Sequence, residues 1–199
     1  MIIAWDFDGV LNANHDGTGY VWEAEFQQVF GQPAADFGAF VFANTAPVVI
    51  AGEIDILDRL TEWVARTGIA FAPEEILTRW LAMDACPDAE MIALVDALQA
   101  AGTRQIIATN NEARRAAYIA DAMGFGRRVE RIFASGPMRV AKPDARYFAH
   151  ITDELGVDPG EMLLVDDKPE NIHAAIDAGW QGFHFSDRTR AELIGRLRP

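Results

Sequence analysis

Residues 2–9, Ile2-Ile3-Ala4-Trp5-Asp6-Phe7-Asp8-Gly9, pass from an unbroken apolar stretch straight into two carboxylates and a glycine. A strand buried on both faces has this appearance, and its polar groups come where its carboxyl end leaves the sheet. The run 2–7 is therefore expected to form a parallel strand. Similar runs recur at 105–109 (QIIAT), 131–134 (RIFA), 162–166 (MLLVD) and 180–185 (WQGFHF). Helical patterns lie between the later ones. The Ala-rich stretch 112–123 stops at Gly124, and 143–155 opens on Pro143, the expected first helical position, and stops at Gly156. The stretch 169–178 precedes Gly179, and 187–197 closes the sequence. This alternation predicts an α/β fold, a doubly wound parallel sheet covered by helices on both faces. Ligands of such sheets bind beyond the carboxyl ends of the strands, near the switch in strand order.

One interval breaks the rhythm. About a hundred residues separate the first two strands, where a crossover unit needs roughly 30. Residues 88–101 account for an ordinary crossover helix, closed by Gly102. The remainder carries helical periodicity: Trp22, Phe26, Val29 and Phe30; Leu57, Leu60 and Val64; and Ile76, Leu77, Trp80 and Leu81 behind Pro73. The expected organisation is an α/β core of residues 1–13 and 87–199, with a small helical domain over 14–86 packed on the carboxyl end of the first strand.

The 199 residues, half of them hydrophobic and 24% charged, suit one core plus a small accessory domain. A net charge of −13 argues against nucleic acid or an anionic membrane as partner. Cys86 is the sole cysteine, which excludes an intramolecular disulfide or a multi-cysteine zinc site. With no basic leader and no apolar run approaching a membrane span, a cytoplasmic protein is expected. No phosphate-binding P-loop or dinucleotide fingerprint is present.

Polar side chains cluster at the expected strand ends: Asp6 and Asp8 after the first, Thr109 and Asn110 after the second, Asp166 and Asp167 after the fourth, with Lys142 before a helix. Taken singly, each has an ordinary explanation as a turn, cap or surface charge. Taken together at one sheet edge, they fit phosphoryl transfer. Crowded carboxylates repel one another unless a divalent cation sits among them, and all-oxygen ligation favours Mg²⁺. Lys142 and the Thr109 hydroxyl would stabilise charge on the transferring oxygens.

These segments resemble the four motifs of the haloacid dehalogenase-like hydrolase superfamily. The first reads Asp6-Phe7-Asp8-Gly9-Val10-Leu11-Asn12, the second Ile106-Ile107-Ala108-Thr109-Asn110. The third is Lys142 with Pro143 and Asp144, and the fourth Leu163-Leu164-Val165-Asp166-Asp167, with Asn171 downstream. The resemblance implies that Asp6 attacks phosphorus to form an aspartyl-phosphate and that Asp8 serves as acid and then base. It implies Mg²⁺ bound by the Asp6 carboxylate, the Asp8 carbonyl and Asp167, with Asp166 acting through water. Thr109, Asn110 and Lys142 would hold the phosphoryl group, and Asn171 would support the site. The inserted helices resemble the family's cap, which suits a small phosphorylated metabolite.

Three alternatives share parts of this pattern. A 2-haloacid dehalogenase attacks carbon and expels halide, so it needs neither a second aspartate nor a metal; Asp8 and the Asp166-Asp167 pair favour the phosphatase. A phosphomutase or phosphotransferase differs only in the fate of the intermediate. A phospho-accepting receiver domain places its acidic pair after the first strand and has no helical insertion. His15 stands where the chain enters the insertion, within possible reach of a substrate, although a loop histidine is the simpler expectation.

Overall fold

Ile2, Ile3, Ala4 and Trp5 are all buried, Ile2 and Ala4 on one side of the sheet and Ile3 and Trp5 on the other, as the period of two requires. They form β1 (Ile2–Trp5), the central strand of a five-stranded parallel sheet. The computed structural model describes residues 1–42 and 46–199. Along the chain, β1 is followed by α1 (Glu23–Phe30), α2 (Ala34–Phe42), α3 (Ala46–Ile50), α4 (Ile56–Thr67) and α5 (Pro73–Asp84). The core resumes with α6 (Ala89–Ala100), β2 (Gln105–Thr109), α7 (Ala113–Asp121), β3 (Arg131–Ala134), α8 (Ser135–Met138) and α9 (Ala145–Leu155). It ends with β4 (Met162–Asp166), α10 (Pro169–Asp177), β5 (Gln181–His184) and α11 (Arg190–Leu197).

The strand order is β3-β2-β1-β4-β5, so successive connections run outward from β1 in opposite directions. A crevice forms where the order reverses, between β1 and its neighbours. One face of the sheet packs on α6, α7 and α11 through Val95, Ile119 and Leu193, and the other on α9 and α10 through Phe148, Ile151 and Ala175. A buried polar link joins sheet to helix: the Trp5 indole N–H donates to Gln105 Oε1 at 3.0 Å, and Gln105 Nε2 donates to the Val95 carbonyl at 3.0 Å.

The five helices α1–α5 have a hydrophobic cluster of their own, centred on Phe26, Phe37, Leu60, Trp63, Ile76 and Trp80. Trp22 and Phe26 belong to it, so the aromatic stripe read from sequence is packing. Phe37 meets Phe26, Trp63 and Trp80 with ring centroids 4.4–5.7 Å apart. Such tilted and edge-on contacts suit the ring quadrupoles.

The structure corrects several boundaries, among them the last helix, expected over 187–197 and found at Arg190–Leu197, and two that bear on the site. The first strand ends at Trp5 rather than Phe7, because the Phe7 carbonyl accepts from Leu11 N at 2.9 Å and Asn12 N at 2.8 Å, closing a tight turn. The helix expected from Pro143 begins at Ala145, capped by the Asp144 carboxylate, which accepts from Arg146 N at 2.9 Å; the Lys142-Pro143 bond is cis. Helices α2 and α3 were not legible as separate elements. Gly38 falls inside α2 and α3 spans five residues, so each carries little periodic signal.

Candidate active site

Trp5 is level with Ile107 of β2 and Val165 of β4, which sets Asp6 at one height with Ala108 and Asp166 at the carboxyl edge of the sheet. The Asp6 N–H donates to the Val165 carbonyl at 2.8 Å, and Asp6 Oδ1 accepts from Phe7 N at 2.7 Å. Into this row comes the buried ammonium of Lys142. It donates to the Ala108 carbonyl at 2.6 Å and Asp166 Oδ2 at 2.6 Å, and lies 3.1 Å from Asp6 Oδ1. Burial alone would lower the lysine's pKa, but Asp6 and Asp166 outweigh it and raise the pKa.

Asn110 was expected on the phosphoryl group. In the structure both ends of its amide are taken by the Lys142 main chain: Oδ1 accepts from Lys142 N at 2.9 Å and Nδ2 donates to Lys142 O at 2.8 Å. Asn110 therefore fixes where the lysine enters the site. Asn171 supports Asp166, donating to its two oxygens at 3.0 Å each. Lys168 N adds a third donor to Asp166 at 2.9 Å. These partners and Lys142 engage both Asp166 oxygens, and the Asp166 pKa falls despite burial.

Asp167 is the opposite case. Among the described residues its buried Oδ1 has no hydrogen-bond partner, and burial followed by the Asp166 charge raises its pKa. Carboxylate oxygens of Asp6, Asp166 and Asp167 lie within 4.8 Å of one another. Burial, then Asp166, Asp167 and Asp8, push the Asp6 pKa up to about 8 against the pull of Lys142. One ammonium thus faces several carboxylates, one of which has an orphaned oxygen, and every available donor is oxygen. This donor set fits a hard divalent cation such as Mg²⁺. Gly9 makes room for the Asp167 carboxylate: a Cβ there would lie 2.7 Å from Asp167 Oδ2, and its φ of +79° is one that side chains rarely adopt.

Thr109, at the end of β2, is buried, and its Oγ1 accepts from Asn111 Nδ2 at 2.7 Å. Asp8 sits apart from the carboxylate cluster. Its Oδ1 accepts from Asn12 at 3.1 Å, Asn14 at 3.1 Å and Arg115 at 2.6 Å, and its Oδ2 from Asn111 at 3.2 Å. The Arg115 guanidinium also pairs with Asp84 at the end of α5. Asp84 accepts from Asn14 at 2.8 Å, and burial pushes its pKa up to about 6 against the pull of Arg115.

Sequence reasoning did not single out Asn14, Asn111, Arg115 or Asp84. Asn14 and Asn111 flank recognised motifs and could have been suspected from that adjacency. Arg115 is one arginine among many, and Asp84 ends an amphipathic helix without any local signal. His15 is exposed; its Nδ1 accepts from Gly17 N at 2.9 Å and its ring meets Tyr20 edge-on. It belongs to its own loop. Cys86 is half-buried, with its thiol pKa raised chiefly by burial.

A doubly wound α/β sheet with carboxylates and a buried lysine at its switch in strand order defines a hydrolase-type site suited to a cation. Residues 1–179 match the family model of the haloacid dehalogenase-like hydrolases, and the chain belongs to that family. It is 27% identical over 160 residues to the sesquiterpene phosphatase astK of Aspergillus oryzae, covering 76% of this chain and 78% of that protein. A haloacid dehalogenase family enzyme of Bacteroides thetaiotaomicron, crystallised with magnesium and inorganic phosphate, superposes with a TM-score of 0.73 at 17% identity, over 93% of each chain. The L-2-haloacid dehalogenase of Xanthobacter autotrophicus superposes at 0.63 and 16% identity, covering 100% of this chain and 84% of that one. At these identities the two structures are alike in fold. Among the described residues, no helix is long and apolar enough to cross a membrane.

Proposed function

We propose that this chain is a Mg²⁺-dependent phosphohydrolase of small phosphomonoesters, with Asp6 as nucleophile. The observation that carries this is the buried Asp6-Lys142-Asp166 row beside the orphaned oxygen of Asp167. Mg²⁺ held by Asp6, Asp167 and the Asp8 carbonyl, with Asp166 acting through water, would keep Asp6 ionised and offset the charge of the phosphate. Asp6 attacks phosphorus while the bond to the leaving oxygen breaks, and Asp8 delivers a proton to that oxygen. Asp8 then takes a proton from the water that attacks the aspartyl-phosphate, which releases inorganic phosphate and restores Asp6. Lys142 and Thr109 hold the phosphoryl oxygens. Thr109 accepts from Asn111 and so keeps its own proton for that contact.

Residues 14–86 act as the cap, and residues 1–13 and 87–199 as the catalytic core. The separate hydrophobic cluster of α1–α5 supports this division. So small a cap suits a small substrate, closing over it to keep bulk water from the acyl-phosphate. The similarity to a sesquiterpene phosphatase also supports phosphoester chemistry. A dehalogenase would have no use for Asp8 and its ring of donors, because halide leaves without a proton.

The decisive test is turnover of a panel of phosphomonoesters with Mg²⁺. The Asp6→Asn protein is expected to lose at least about a thousandfold in kcat, as loss of a covalent nucleophile does, and EDTA should abolish activity of the wild type. Undiminished turnover by Asp6→Asn would sink the nucleophile assignment. Chloride release from 2-chloropropionate without phosphate release would support the dehalogenase.

A further inference from the structure

We propose that Arg115 is a positioning residue for the acid/base carboxylate of Asp8, and that Asp84 aims Arg115 from the end of the inserted helices. The proposal rests on the role given to Asp8 above. Arg115 lies in the first turn of α7, where its N–H donates to Glu112 Oε1 at 2.5 Å. One terminal nitrogen of its guanidinium serves both carboxylates, reaching Asp8 Oδ1 at 2.6 Å and Asp84 Oδ2. The Asp84 side chain is 4% exposed, so this pairing is shielded from solvent and holds the guanidinium plane in place.

The two oxygens of Asp8 are unlike. Among the described residues, Oδ1 accepts from three donors, Asn12, Asn14 and Arg115, whereas Oδ2 has only Asn111, at 3.2 Å. A proton on Oδ1 would compete with those donors, so the transferable proton belongs on Oδ2. That oxygen shares Asn111 with the Thr109 hydroxyl, which puts it on the phosphate side of the carboxylate. As the phosphorus–oxygen bond breaks, its electron pair goes to the leaving oxygen and the Oδ2 proton follows. In this arrangement Arg115 acts by fixing Oδ1.

The same residues tie the inserted helices to this orientation. The Asp84 carbonyl accepts from Asn12 Nδ2 at 3.0 Å, Asn12 Oδ1 accepts from Cys86 N at 2.7 Å, and Asn14 bridges Asp84 and Asp8. The point where the chain returns from α5 to the core therefore sets where the acid points.

The test is single-turnover release of the leaving group with enzyme in excess, comparing n-butyl phosphate, whose alkoxide needs a proton, with para-nitrophenyl phosphate, whose phenolate leaves without one. For Arg115→Ala, alcohol release is expected to slow about a hundredfold, within the usual range for general acid catalysis, and nitrophenolate release by no more than about threefold. Arg115→Lys should recover part of the alcohol rate. Asp84→Asn, which leaves the guanidinium in place, should show the same selectivity more weakly. Equal slowing with both esters would mean a structural role and would overturn the proposal, as would a rise in KM with unchanged rates. If wild-type protein releases neither leaving group, or Asp6→Asn keeps full activity, the phosphohydrolase assignment fails instead, whatever Arg115 does.

Discussion

The two halves of the site solve the problem of buried charge in different ways. Around Asp6, among the described residues, the carboxylates of Asp6, Asp166 and Asp167 face a single buried ammonium, and one oxygen of Asp167 has no donor. Around Asp8, the carboxylates of Asp8 and Asp84 face the guanidinium of Arg115 and the amides of Asn12, Asn14 and Asn111. The first half is short of positive charge and so is suited to receive a cation. The second crowds its donors on Asp8 Oδ1 and on Asp84 and so is suited to hold one carboxylate still. Charge shortage marks where a ligand binds; donor saturation marks where a protein group must keep its direction.

Four perturbations would break or sharpen that contrast, and Lys142→Met has the largest expected effect. It leaves Asp6 and Asp166 buried without their ammonium and should cost about 3–5 kcal/mol in urea unfolding without Mg²⁺. Added Mg²⁺ should restore part of this loss, because the first half is the one that takes a cation. Stability indifferent to Lys142 would erase the distinction between the halves.

The pH dependence of the second half comes next. The folded protein holds a proton on Asp84 up to about pH 6, whereas the unfolded chain releases it near the ordinary aspartate value. Between these values the native state binds the extra proton, so the contribution of Asp84 is fullest at the acid end and is lost as pH rises through the window. The unfolding free energy of the wild type relative to Asp84→Asn should therefore fall by up to roughly 3 kcal/mol from about pH 4 to about pH 6, then stay level. Urea titrations of both proteins across that range measure it, and a constant difference would contradict the assignment.

Gly9→Ala probes the approach of the first turn to Asp167. The strain of a side chain at φ +79° should cost about 1–3 kcal/mol. The displaced carboxylate should also weaken Mg²⁺ binding, which calorimetry would read directly. The smallest effect is expected at Arg114, whose pair with Asp55 links α7 to the start of α4 at 2.7 Å but is nearly half-exposed on both sides. Arg114→Ala should change stability by no more than about 1 kcal/mol, less in high salt. A larger loss would show that this surface pair, and not only the Asp84-Arg115 contact, holds the inserted helices to the core.

The first half of the site was almost wholly legible. Asp6, Thr109 and Asp166 each follow an apolar run, and a strand's carboxyl end can be found from local pattern alone. Lys142 was read with them, although its burial was not, since nothing local says that a loop lysine will be covered. The second half was largely illegible. Asp8 stood in the first motif, but Asp84 and Arg115 are separated from it by long stretches of chain and become neighbours only when the end of α5 meets the first turn of α7. The family resemblance put Asn110 on the phosphate, and its binding to the Lys142 main chain is a tertiary fact.

The amino-acid sequence by itself determined the parallel sheet, the order of its strand-end carboxylates and the presence of helical material between the first two strands. Burial period and strand-end chemistry are local properties and survive in one dimension. Only the tertiary structure decided which oxygens are saturated and which is left bare, because hydrogen-bond partnership depends on distance and direction between segments the chain keeps far apart. For the same reason, the junction with the inserted helices emerged as part of the site only once the chain was folded.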